Sequence, residues 1–66
     1  MKIFEFAIVY HPVKRERDQG QQSRIIVGPK CVLAQDEKSA ALLAGREIPE
    51  DMIAHLDRLE VAVRPF

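Results

Sequence analysis

The stretch Lys2–Tyr10 constrains this fold more than any other part of the chain. It reads Lys-Ile-Phe-Glu-Phe-Ala-Ile-Val-Tyr, rich in the β-branched and aromatic residues that suit a pleated strand. By the two-residue period, Phe4, Phe6, Ile8 and Tyr10 share one face, while Ile3, Ala7 and Val9 share the other with Glu5. A strand that is apolar on both faces belongs inside a sheet, or has its second face covered by a partner. Pro12 has no N–H to give to a ladder, so the strand ends near His11.

The rest of the fold must come from 66 residues. A chain of that length makes one domain, 1–66, and buries only ~60% of the surface that its unfolded form exposes. The one cysteine, Cys31, excludes an intrachain disulfide and a Cys-rich metal site. Hydrophobic residues at 47% and charged residues at 30% describe a globular chain and not a disordered one. No apolar run approaches the ~18 residues of a membrane-spanning helix. Glu5 interrupts the N-terminal apolar stretch and no small-residue cleavage site follows, so secretion by a signal peptide is not expected. A lone cysteine suits a reducing compartment.

Residues 13–23 are polar and contain Gly20, the composition of a flexible hairpin tip. Strand character resumes over 24–35, bent by Gly28-Pro29 into one kinked strand or two short ones. Asp36 is placed as the N-cap of a helix, with Glu37 at its positive end. Ala40, Leu43, Ala44 and Glu47 form a stripe on that helix, and its small alanines allow close approach to a sheet. Pro49 ends it and opens a second helix, whose apolar face is Met52, Ile53 and Leu56. Leu59, Val61 and Val63 then alternate with Glu60 and Arg64 as a closing strand that lies beside the first. The order β-β(-β)-α-α-β predicts an α+β fold: a three- to four-stranded, mostly antiparallel sheet with one or two helices on one face.

Chemistry-bearing patterns are sparse. Cys31 is read as a small buried strand residue, since no nucleophile motif surrounds it. His11, Cys31 and His55 have no compact zinc-ligand spacing. Asp36-Glu37 and Glu50-Asp51 sit at helix starts, where capping and the macrodipole account for them. No phosphate-cradling glycine motif is present. No catalytic residue, metal ligand, cofactor site or small-molecule substrate is therefore expected.

Charge is distributed unevenly, although the ten basic and ten acidic residues cancel. Residues 1–33 carry a balance of +3 and residues 34–66 one of −3. Lys14, Arg15, Arg17 and Arg24 concentrate around the tip, interleaved with Glu16 and Asp18. Such a chain can stack on copies of itself or dock on a larger assembly, or hold phosphates through the tip. Stacking aromatics near the tip are limited to Tyr10, which argues against single-strand binding. Arg64 and the terminal Phe66 are the other candidate contact residues.

Two stretches carry a resemblance. One is Val32-Leu-Ala-Gln-Asp-Glu, continuing through the Ala-rich segment to Arg46-Glu-Ile-Pro-Glu; the other is the closing Val63-Arg-Pro-Phe. In this order they resemble a group of very small tailed-bacteriophage proteins of uncharacterised function. The likeness spans nearly the whole chain outside 13–24, and the chain departs from it with Gly45 where the group has Ala. The resemblance implies a viral origin, a virion or assembly role, and no catalytic residue. The expectation is a non-enzymatic phage structural or assembly-accessory protein, such as a minor capsid or decoration component. It would act in the host cytoplasm during infection or in the virion, through a protein partner or self-association. The alternative is a nucleic-acid-binding or host-regulating module.

Overall fold

The computed structural model describes residues 1–66. Three strands, β1 (Lys2–Tyr10), β2 (Arg24–Ala34) and β3 (Leu59–Pro65), form one antiparallel sheet in the order β2-β1-β3. The α-helices are α1 (Lys14–Asp18) and α2 (Glu37–Gly45), followed by a 3-10 segment over Glu50–Arg58. This is a small α+β fold, and β1 is the inner strand of the sheet, one of the two arrangements its apolar faces allow.

β1 pairs along its length with both neighbours, Phe4 opposite Val32 and Pro65, Phe6 opposite Lys30 and Val63. β2 is one strand and not two. It is bent at Gly28-Pro29, where the peptide bond is cis and the register with β1 shifts between Phe6 and Ile8. The extra residue there is a β-bulge.

The core lies between the sheet and α2. Phe4, Phe6, Ile8 and Tyr10 are all buried, and Ala40 and Ala44 of α2 are completely so. Ala44 packs with Phe6 and Ile8; Ala40 packs with Phe4 and Ala34. An alanine stripe has no side-chain bulk to hold the helix off the strands, so α2 lies across all three. Val61, Val63 and Leu59 complete the core from β3. Asp36 caps α2, its Oδ1 accepting the Ser39 N–H at 2.7 Å. That bond holds the Asp36 carboxyl below its ordinary pKa.

Three details differ from expectation. Residues 13–23 are not irregular throughout, because Glu16 folds back to the core edge and closes one helical turn. The second helix is a 3-10 segment interrupted at His55, which has non-helical backbone angles. Winding at three residues per turn does not sustain the α-helical stripe. Met52 is half-buried, while Ile53 and Leu56 are more than half exposed. Cys31 is exposed as well, because nothing covers its side of the sheet.

Candidate protein interface

α2 is the layer packed on the Phe4–Tyr10 side of the sheet. The opposite side of the sheet is open. Strand pairing sets its residues in rows across β3, β1 and β2. Arg64, Glu5 and Cys31 form one row, Ala62 and Ala7 the next, and Glu60, Val9 and Ile25 a third. At the other end Phe66 joins Ile3 and Leu33, because the Phe66 N–H donates to the Ile3 carbonyl at 3.0 Å.

Large apolar residues on this face meet solvent. Ile3 is 49% exposed, Leu33 57%, Ile25 55% and Phe66 77%. Isolated exposed apolar residues are ordinary on any protein; here Ile3, Leu33 and Phe66 are neighbours in one row, whereas Ile25 lies at the other end of the face. The centre of the face is a neutral pair, with Arg64 Nε donating to Glu5 Oε1 at 2.8 Å. Ala7, Ala62, Pro29, Phe6 and Val63, together with the charged Glu5 and Arg64, line a shallow hollow of about 250 Å³.

The far end of the molecule is polar. Tyr10 Oη donates to Glu16 Oε1 at 2.7 Å and accepts from Arg58 at 3.0 Å. Glu16 also accepts the Val13 N–H at 3.2 Å. The Tyr10 hydrogen bond, with Val13 and the Arg58 charge, holds the Glu16 carboxyl below its usual range. The hydrogen bond that Arg58 donates to Tyr10 Oη raises the Arg58 pKa. Arg24 lies over the Tyr10 ring, 4.6 Å from its centre. His11 bridges Ser23 Oγ at 2.8 Å and Glu60 Oε1 at 2.7 Å.

The six candidate contact residues do not converge. Lys14, Arg15, Arg17 and Arg24 lie at the Tyr10 end, whereas Arg64 and Phe66 lie at the Ile3 end of the antiparallel β3. Neither does the +3/−3 division of the chain become a division in space. The ion pairs Glu5–Arg64 and Lys30–Glu47 and the His11–Glu60 hydrogen bond all join the first half to the second. Sequence reasoning did not single out Ile3, Leu33 and Ile25, which the fold leaves exposed on the open face, and it missed Arg58 as the partner of Tyr10. For the first three, the signal was the apolar second face of β1.

No helix is long and apolar enough to cross a membrane. No group of three or more His, Cys, Asp or Glu side chains is placed to hold a metal ion. In comparisons with known proteins, no family model, curated protein or solved structure matches the chain.

Proposed function

We propose that this chain is a non-enzymatic protein-interaction module that docks through the open face of its sheet. The exposed row Phe66-Ile3-Leu33 is the observation that carries this reading. Small domains with a thin core commonly gain stability from a partner, and burial of these side chains supplies the apolar area for it. The resemblance to small tailed-phage proteins adds the setting: a structural or assembly accessory, minor capsid or decoration component, used in the infected host's cytoplasm or in the virion.

Quantitative mass spectrometry of purified particles and assembly intermediates from the encoding phage tests this. The chain is expected in stoichiometric amount in one of them, and Ile3→Glu is expected to remove it while circular dichroism stays unchanged. Absence of the wild-type chain from both overturns the reading.

A second reading, nucleic-acid binding through the tip, is favoured by one observation. Glu16 is turned inward onto Tyr10, while Lys14, Arg15 and Arg17 remain exposed. Of the two interleaved acids, only Asp18 remains on the outer surface of α1. Binding of this kind weakens steeply with salt. Arg15→Glu with Arg17→Glu is expected to abolish it; affinity equal to wild type in that variant excludes this reading.

A further inference from the structure

We propose that two copies of this chain join edge to edge through β2, antiparallel about Val32, so that their sheets become one. The joint is separate from the open face and does not depend on how that face is used.

The backbone sets the edge. β1 turns its odd-numbered residues toward β3: the Phe66 N–H donates to the Ile3 carbonyl, and the His11 N–H donates to the Arg58 carbonyl. Its even-numbered residues therefore bond to β2, Phe4 with Val32 and Lys2 with Ala34. On β2 the N–H and C=O groups of Cys31 and Leu33 consequently point away from the sheet. Pro29 ends this run, because it has no N–H to give. Proteins blunt such edges with charge or proline. β3, the other edge, carries Glu60, Arg64 and Pro65. The run Cys31-Val32-Leu33-Ala34 carries neither charge nor proline, and Leu33 is 57% exposed.

The strand that fits this edge is β2 of a second copy. A two-fold axis through Val32, normal to the sheet, sets Cys31 opposite the partner's Leu33, Val32 opposite the partner's Val32, and Lys30 opposite the partner's Ala34. Cys31 and the partner's Leu33 then exchange both backbone hydrogen bonds, as do Leu33 and the partner's Cys31. Such a joint is isologous and closes on itself. No charge meets its own kind along it. Lys30 is the charged residue of the paired run; it faces an alanine, and Glu47 of its own chain holds it at 3.1 Å.

The flank of α2 points the same way. Leu33, Ala34 and Gln35 share a groove of about 340 Å³ with Ser39 and Leu43 of α2 and with Arg46 just past it. The edge and one side of the helix therefore open together. An isolated strand laid on β2 would cover the edge and leave that side of the helix bare. A second copy brings its own α2, which an axis normal to the sheet keeps on the same side. The two helices run antiparallel across the joint, so the Arg46 side chains of the two copies stand at opposite ends of the pair.

Sedimentation equilibrium of the full chain under reducing conditions is the first test. The mass is expected to approach twice 7.5 kDa at about 0.1 mM and to return to one copy near about 1 µM, since so small a joint is weak. Leu33→Pro removes an outward N–H that the monomer does not use. It is expected to weaken dimerisation at least tenfold with unchanged circular dichroism. Ile3→Glu, on the open face, is expected to leave dimerisation unchanged. Val32→Cys in a Cys31→Ser background places a thiol on the axis, at a non-hydrogen-bonded pair whose Cα atoms lie ~4.5 Å apart, within disulfide reach. Mild diamide oxidation at about 0.1 mM is expected to link this variant into a covalent dimer, a test that stands even if Leu33→Pro does not fold. A wild type that stays monomeric at about 0.1 mM overturns the proposal, as does a Val32→Cys variant that does not cross-link, or a dimer that folded Leu33→Pro does not weaken. A dimer lost in Ile3→Glu assigns the contact to the open face and overturns it as well.

Discussion

Gly28 shows how much one residue can decide. Its φ is +88°, a conformation that side chains rarely adopt, and a Cβ there would stand 2.7 Å from the Phe6 carbonyl oxygen. Gly28→Ala is expected to destabilise by more than ~1 kcal/mol in urea denaturation. Gly45 is the contrasting case. Nothing lies within 4 Å of its would-be Cβ, and alanine is the better helix former. Gly45→Ala is expected to stabilise by about 0.4–1 kcal/mol, measured by the same denaturation. Glu16 and Asp36 set the acid response. Both carboxyls are held below their ordinary pKa in the fold, so the native state binds fewer protons than the unfolded one. Their stabilisation is present above the unfolded carboxylate range near pH 4 and is lost as pH falls through the lower folded values. Replacing them with Gln and Asn is expected to flatten the fall of the thermal midpoint below about pH 4.

Among elements, α2 and the 3-10 segment separate cleanly. The Ala40 and Ala44 side chains are buried against β1 and β2, so Ala44→Leu overpacks the contact and is expected to cost about 1–3 kcal/mol. Leu42 on the opposite side of α2 is 70% exposed; Leu42→Ala is expected to change stability by less than ~0.5 kcal/mol. Chemical denaturation of the two variants checks this asymmetry. The stripe was readable beforehand because 3.6-residue periodicity and an Asp cap are local properties. The 3-10 winding after Pro49 was not, because Met52, Ile53 and Leu56 fit an α-helical face equally well and only the path back into β3 selects the tighter turn.

For the whole molecule, eight buried residues of 66 make a thin core. Such a chain sits at the low end of domain stability, and anything that covers the open face adds to it by mass action. The melting temperature of wild type is accordingly expected to rise when a partner that covers the open face is added, while that of Ile3→Glu stays constant; differential scanning fluorimetry over a titration of that partner reads both. The open face was legible only in part. The apolar second face of β1 gave warning of an uncovered sheet, but Leu33 and Ile25 became neighbours of Ile3 and Val9 only through the bulged register of β2.

Alternation, capping and proline placement by themselves determined that β1 is a strand with two apolar faces, that Asp36 caps α2 with its alanines inward, and that the chain closes on a third strand. These follow from interactions between residues near in sequence, or from a strand having two faces to bury. Tertiary structure alone decided that α2 covers only one of those faces, that Cys31 and Ile3 stay in solvent, and that the charged halves of the chain compensate each other. These outcomes depend on which strands pair and in what register. Pairing is a property of residues as distant as Glu5 and Arg64, and no local pattern contains it.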